Sequence, residues 1–178
     1  GEFASIVSAD GTRLRTAVWT PQDARASVLL LHGRGEFLEK YAEATGDLLR
    51  RGFSVFGMDW RGQGLSDRPL ADRRKGHVND FQDYQDDLAH FLDEVVAPKA
   101  VGPVFVLAHS MGAHVNLRFL HDRPGLLAGA VFCAPMLSLP TWPLPPSAAS
   151  SLASLTRMIG MEELPMMLPG VFSAGIGH

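Results

Sequence analysis

Apolar residues in this chain come in short runs closed by turn-forming residues, and the spacing inside each run identifies an element. Ile6-Val7 and Leu14–Trp19 flank Asp10-Gly11, a favoured turn pair, and Pro21 closes the second run; this predicts an opening β-hairpin. Val28-Leu29-Leu30-Leu31 is apolar at every position, as a strand covered on both faces requires. Between Tyr41 and Arg51 the spacing turns helical, with Tyr41, Ala44, Leu48 and Leu49 on one side and Gly52 as the stop. Phe53–Gly57 reads as the next strand. A second helix is predicted from Asn79, with Asn79 and Gln82 as a capping box and Pro98 as its end. Phe81, Tyr84, Leu88, Phe91, Leu92 and Val95 form its buried stripe. A strand at Val104–Leu107, a helix from Met111 to Asp122 and a strand at Leu126–Phe132 come next. Alternation of strand and helix from Val28 onward predicts an α/β fold, a mostly parallel sheet with helices on both faces.

The pattern changes at Pro135. Proline at 135, 140, 143, 145 and 146 opposes regular structure. Ser150 or Ser151 is placed to cap a short helix carrying Leu152, Leu155, Met158 and Ile159, and Pro165 and Pro169 break the chain beyond that helix. The tail from Ser173 to His178 has little reason to order. The expected division is therefore residues 1–136 as core and residues 137–178 as a separate segment with a tail.

Composition narrows the class. The 178 residues suit one domain, and 46% hydrophobic with 20% charged residues is enough for a real core. A net charge of −3 gives no electrostatic case for nucleic-acid binding. The single cysteine, Cys133, excludes an internal disulfide and reads as a small buried hydrophobe. The first residues show no signal-peptide pattern, and no run approaches the ~18 apolar residues of a membrane span. Cytoplasm is the default, although a chain without an initial Met leaves a trimmed precursor open.

The chemistry gathers in the turns. Ala108-His109-Ser110-Met111-Gly112 follows an apolar strand directly and precedes a helix, which holds the Ser110 hydroxyl clear of the backbone where a base can reach it. A serine nucleophile needs a histidine base and an orienting carboxylate, usually later in the chain. His32-Gly33-Arg34-Gly35-Glu36 follows the Val28–Leu31 strand, and its two glycines let the backbone turn tightly with N–H groups free to meet a developing oxyanion. The N–H of Met111, at a helix start, supplies a second donor. Asp59-Trp60-Arg61-Gly62-Gln63-Gly64 is not a nucleotide loop, because no helix opens on it; Asp59 and Arg61 are expected to brace it, with Ser66 as a loop or surface serine. His32 is expected to fix its turn, and His109 lies too close to Ser110 to serve as base. His90, His114 and His121 ride helices, His77 lies in a loop, and His178 is the last residue. No spacing resembles a metal site, and no cofactor is implied.

These segments, with Gly76-His77 and Ala134-Pro135-Met136-Leu137, make residues 5 to 145 resemble a serine α/β-hydrolase of the lysophospholipase and monoacylglycerol-lipase type, a group allied with serine aminopeptidases. The likeness is to the N-terminal half only of such an enzyme. It implies an α/β-hydrolase fold that is C-terminally incomplete, with residues 137–178 as the beginning of a cap or lid. It implies Ser110 as nucleophile and the N–H groups of Arg34 and Met111 as oxyanion donors, with His32, Gly33, Gly35, His109 and Gly112 structural near the site. The triad Asp and His are expected to be absent from this chain, so the chain alone is expected to be inactive while its parent hydrolyses lysophospholipids or monoacylglycerols. A non-catalytic fragment or interaction module, a peptide or amide hydrolase, and an acyltransferase stay open on the same scaffold. So do peripheral membrane contact through the cap and self-association through an incomplete sheet edge. One departure from the resemblance is Ala108, which stands where such elbows usually carry Gly and adds a Cβ to a crowded turn.

Overall fold

In the computed structural model, which describes residues 1–138 and 144–159, Asp10-Gly11 does not make a two-residue turn. Ser8 to Thr12 form the loop: the Ser8 N–H donates to the Thr12 carbonyl, the Gly11 N–H donates to the Ser8 carbonyl, and Gly11 takes φ +86°. That is a type I turn closed by a glycine bulge, the other common hairpin solution. It joins β1 (Glu2–Val7) to β2 (Arg13–Trp19) in antiparallel register.

The remaining strands are β3 (Ala26–Leu31), β4 (Phe53–Met58), β5 (Val104–His109) and β6 (Gly129–Cys133). They form one six-stranded sheet in the order β1-β2-β4-β3-β5-β6. β2 pairs antiparallel with β4, whereas β3 is parallel to β4 and β5, and β5 to β6. The sheet is thus mixed: three pairings are parallel, and the opening hairpin contributes two antiparallel ones. β3 lies at its centre and every one of its residues is buried, as its unbroken apolar run requires.

Connection order sets the layers. From β3 the chain crosses through α1 (Ala42–Arg50) to β4 on one side, then returns through α2 (Gln82–Phe91) over β3 to β5 on the other. Right-handed crossovers in opposite directions put α1 and α2 on opposite faces. α4 (Ser110–Asp122) continues in the second direction and packs on α2. Leu29 and Leu31 of β3, Phe56 and Met58 of β4 and Val106 and Ala108 of β5 join Leu88, Phe91, Val115 and Phe119 in one buried cluster. Each large apolar side chain among them contributes about 1.5–3 kcal/mol by leaving water. The reversal of direction leaves a crevice outside the carboxyl ends of β3 and β5, where open α/β sheets bind ligands.

Several elements differ from the sequence expectation for local reasons. A 3₁₀ turn at Leu38–Tyr41 precedes α1, and α1 itself is only half-covered, with Thr45 its buried residue. α2 is capped by Asp80 rather than Asn79: the Gln82 N–H donates to Asp80 Oδ1 at 2.8 Å and the Asp80 N–H reaches Asp83 Oδ2 at 3.3 Å. Asn79 instead accepts from His77 Nε2 at 3.0 Å. The helix does not stop at Pro98. It passes through a π-helical turn at Leu92–Val96 into α3, the single turn Ala97–Lys99. There the Ala97 N–H bonds the Leu92 carbonyl, one residue further back than an α-helix allows. β6 is shorter than its apolar run: Leu126 is exposed outside it, and Cys133 is exposed rather than buried because β6 is the last strand of the order.

The chain falls into two compact units, Gly1–Met136 and Leu137–His178. The second unit contains α5 (Pro146–Met158). This helix starts at Pro146, before Ser150 and Ser151, because a proline is well suited to the first helical position. Leu152, Leu155 and Met158 on it and Ile159 just after it are exposed. The expectations for Pro140, Pro143, Pro165, Pro169 and the tail lie outside the described residues. Among the described residues no helix is long and apolar enough to cross a membrane.

One buried ion pair locks the hairpin, the loop after β4 and α2 together. Arg61 Nε and Nη2 donate to Asp87 Oδ2 and Oδ1, both at 2.6 Å. Arg61 Nη1 reaches Asp10 Oδ2 at 2.8 Å, and Ser8 Oγ donates to Asp87 Oδ1 at 2.7 Å. Asp87 is fully buried, while half of the Asp10 side chain is exposed. Asp87→Ala removes the buried bidentate partner of Arg61 and leaves only Asp10 and Asp83 at Nη1, and it is expected to lower unfolding stability by about 3–5 kcal/mol in urea titrations. Asp10→Ala, at the wet end of the same arginine, is expected to cost less than about 1 kcal/mol. Equal losses in the two variants would show that the buried pair has no special weight.

Candidate active site

β5 ends at His109 and α4 begins at Ser110 with no intervening loop. Ser110 carries φ +49°, a left-handed conformation that costs a non-glycine residue roughly 1–3 kcal/mol. This is the geometry of a strained strand-to-helix elbow that lifts the hydroxyl off the end of the sheet. The elbow closes because Gly112 has no side chain: a Cβ there would lie 2.6 Å from the carbonyl oxygens of Leu31 and His32. Ala108 pairs with Leu31 across the sheet and is fully buried in the main apolar cluster, so its methyl is absorbed by the core. Ala134, just beyond β6, is also left-handed at φ +44°, and the Met136 N–H donates to the Ser110 carbonyl at 3.1 Å.

The turn after β3 presses against this elbow. A Cβ on Gly33 would lie 3.1 Å from the Ser110 Cβ. His32 is buried, and its Nδ1 lies 2.8 Å from the Gly33 carbonyl, which can only accept, so Nδ1 carries the hydrogen. Its Nε2 lies 3.4 Å from the Trp60 N–H and 3.6 Å from Asp59 Oδ1. The Gly35 N–H donates to Gln63 Oε1 at 2.6 Å, and Gln63 Nε2 lies 3.7 Å from the Met111 sulfur. Arg34 stays exposed and anchors its guanidinium on the Gly76 carbonyl at 3.1 Å. Gln63, between Gly62 and Gly64, is thus a supporting residue that sequence reading passes over. Its only signal is a polar side chain between two glycines in a loop that follows a central strand.

Asp59 holds the underside of this turn. Its carboxylate accepts the Leu38 and Leu65 N–H groups, each at 2.9 Å, and Arg15 Nη1 at 3.2 Å. Burial pushes the carboxyl up, but His32 and the N–H groups of Leu65 and Leu38 outweigh it and hold Asp59 below the ordinary carboxylate value. Ser66 is buried rather than at the surface: its hydroxyl donates to the Asp59 carbonyl at 2.6 Å and accepts the Arg15 N–H at 2.9 Å. Of the histidines, His114 stacks edge-on against Phe81 at 5.1 Å, and His109 turns its Nδ1 to Glu36. His178 lies outside the described residues. Among the described residues no histidine hydrogen-bonds the Ser110 hydroxyl, and no group of His, Cys, Asp and Glu could hold a metal ion.

A doubly flanked sheet with a serine elbow at its topological switch point defines the α/β-hydrolase class. The chain matches the family described as "Serine aminopeptidase, S33" over residues 22–165 and belongs to that family. Lysophospholipase L2 of Escherichia coli (strain K12) is 40% identical over 136 residues, which are 76% of this chain and 40% of that protein. A soluble variant of the monoglyceride lipase of Saccharomyces cerevisiae, solved with a substrate analog, is 24% identical with a TM-score of 0.65; the match covers 89% of this chain and 52% of that one. The monoacylglycerol lipase of Paleococcus ferrophilus is 26% identical with a TM-score of 0.64, covering 82% of this chain and 51% of its own. The chain spans about half the length of the curated relatives it matches, 38% to 55%.

These matches correct two expectations. The likeness is not to an N-terminal half only, since relatives align over 76–98% of this chain. Nor is the fold set apart as C-terminally incomplete: the mixed sheet and its flanking helices are matched over 82–89% of the chain by solved hydrolases. The proline-rich stretch, read as the point where regular structure gives way, leads into the helix α5.

Two measurements test the site. Gly112→Ala pushes a methyl into two backbone carbonyls that cannot retreat, and thermal unfolding is expected to show a loss of several kcal/mol or failure to fold. A variant as stable as the parent would contradict the tight closure of the elbow. Because the folded-state pKa of Asp59 is depressed, the stability it supplies is present above the unfolded value of about 3.9 and is lost as pH falls through the lower folded value. Asp59→Asn is therefore expected to be less stable at pH 7 and to lose less than the parent between pH 5 and pH 3. The urea midpoint at each pH measures this, and an unchanged acid slope would show that Asp59 does not govern the acid response.

Proposed function

We propose that the whole protein is a carboxylic-ester hydrolase working through a serine acyl-enzyme on single-chain lipid esters of the lysophospholipid or monoacylglycerol kind. One observation carries this: Ser110 stands at φ +49° between β5 and α4 with the Gly33 turn against it. A strained non-glycine conformation persists only where surrounding structure enforces it, and such sites cluster where chemistry is done. Family membership and the similarity to a lysophospholipase and to monoglyceride lipases support the substrate class.

In this reading Ser110 Oγ attacks the ester carbonyl carbon while its proton passes to a histidine base, which the resemblance places later in such chains. The carbonyl oxygen becomes an oxyanion facing the N–H groups of Arg34 and Met111, each worth roughly 2.7–4 kcal/mol when well aimed. Collapse expels the alcohol with the proton and leaves an acyl-serine, which water then hydrolyses by the same steps in reverse. Residues 1–136 are the hydrolase core and residues 137–178 a cap segment. A cytoplasmic setting, with peripheral contact to membrane lipid, belongs to the same reading.

Ser110→Ala in the whole protein is expected to lower turnover of a long-chain monoacylglycerol and of a lysophosphatidylcholine by at least about 10³-fold, since loss of a triad serine costs roughly 10⁶ in kcat. An organophosphonate probe is expected to add to Ser110 alone, read by peptide mass spectrometry. Undiminished turnover in the alanine variant would exclude Ser110. Cleavage of an aminoacyl anilide in preference to both esters would replace the ester reading with an amide one.

A further inference from the structure

The acyl-transfer reading gives no part to Glu36, yet one of its oxygens binds three separate pieces of the site. Glu36 Oε2 accepts the Gly33 N–H at 2.7 Å, the Tyr41 hydroxyl at 2.6 Å and His109 Nδ1 at 3.1 Å. Gly33 belongs to the turn after β3, Tyr41 closes the 3₁₀ turn before α1, and His109 is the residue immediately before Ser110. Burial pushes the Glu36 carboxyl up, but Tyr41, the Gly33 N–H and His109 outweigh it and hold it below the usual carboxylate value. An ionised carboxylate only accepts, so His109 Nδ1 carries a hydrogen and Tyr41 donates. The Tyr41 hydroxyl is itself pushed well above its ordinary range, first by burial and then by Glu36.

Successive peptide planes show what this carboxylate does. A trans peptide fixes its N–H opposite its C=O, so holding either end orients both. The plane joining residues 32 and 33 is held at its N–H by Glu36. The next plane, joining 33 and 34, is held at its carbonyl by His32 Nδ1, which turns the Arg34 N–H the opposite way. The third, joining 34 and 35, is held at its N–H by Gln63. Glu36 is the one of these three side chains that also grips the strand carrying the nucleophile. Gly33 has no room for a side chain because it is wedged between them: a Cβ would lie 2.9 Å from Glu36 Oε2, 3.0 Å from His109 Nδ1 and 3.1 Å from the Ser110 Cβ.

We infer that Glu36 is a positioning residue that sets the register between the Arg34 N–H and Ser110, by tying the Gly33 peptide and His109 to one carboxylate oxygen. The inference rests on the proposed acyl-transfer site and adds to it the group that holds its two halves at a fixed separation. A misplacement of about 1 Å in such a constellation can cost roughly 10²-fold in rate. Charge-assisted hydrogen bonds are roughly twice as strong as neutral ones, so an amide at position 36 keeps the acceptor and only part of the grip.

The test compares Glu36→Gln and Glu36→Ala with the parent in the whole protein. Turnover of p-nitrophenyl butyrate is measured alongside hydrogen exchange at the Gly33 and Gly35 amides by NMR. Glu36→Ala is expected to lower kcat about 10²-fold with KM changed less than about twofold and to speed Gly33 exchange at least about tenfold. Glu36→Gln is expected to recover much of both. Wild-type kcat with wild-type Gly33 exchange in Glu36→Ala would overturn the inference. So would a loss of rate that matches the fraction unfolded in urea, which marks a fold staple rather than a positioning group. If Glu36→Ala does not fold, Glu36→Gln alone decides: slower turnover with faster Gly33 exchange supports the role, and no change in either refutes it. If the parent shows no Ser110-dependent turnover, the hydrolase reading falls separately, and Gly33 exchange still decides whether Glu36 sets the turn.

Discussion

The fully buried carboxylate of Asp59 is the constraint on which the rest of the site depends. A charge can be kept out of water only if its lone pairs are filled, and Asp59 fills them from three directions: the start of the 3₁₀ turn at Leu38, the loop at Leu65, and Arg15 on β2. The ring of His32 lies beside the same carboxylate, so the turn carrying Arg34 rests on it as well. Gly64 must be a glycine for the same reason, because a Cβ there would collide with the Asp59 carboxylate. Arg15, His32, Leu38 and Leu65 are thereby fixed relative to a single group just after β4.

Arg61 and Asp87 do for the body of the fold what Asp59 does for the turns. The arginine lies two residues along from Asp59, and the pair ties α2 to the same loop. The loop from Asp59 to Asp67 therefore carries no chemistry of its own in the proposed reaction. It is rigid on both sides, and Gln63 within it touches both the turn after β3 and Met111. Rigidity of this kind fits a site whose donors must be in place before charge develops, since reorganisation during the reaction would raise the barrier.

Much of this was legible in the sequence where one physical requirement dominates. The unbroken apolar run of β3 has no reading other than burial on both faces, and Ser110 between an apolar strand and a helical pattern has few. Legibility fails where the partner is remote or the choice is degenerate. Asn79 and Asp80 offer equivalent capping oxygens, and only the fold assigns Asp80 to the helix and Asn79 to His77. Pro98 reads as a stop, yet a π-helical turn ahead of it lets the chain run on. Cys133 lies in an apolar run, but its exposure comes from the place of β6 in the sheet order, which no local pattern encodes. Glu36 and Gln63 are ordinary polar residues until His109 and Gly35 are brought to them.

The backbone at Ser110 has a consequence for how this protein can change over generations. Both Ser110 and Ala134 occupy a conformation that glycine would adopt without strain, and the chain just past Ala134 is tied back by the bond from the Met136 N–H to the Ser110 carbonyl. Selection for thermal endurance alone would favour glycine at either position and would relax the elbow first. In the proposed reaction that exchange would relax the torsion and remove the attacking hydroxyl in a single step, so endurance and chemistry pull position 110 in opposite directions.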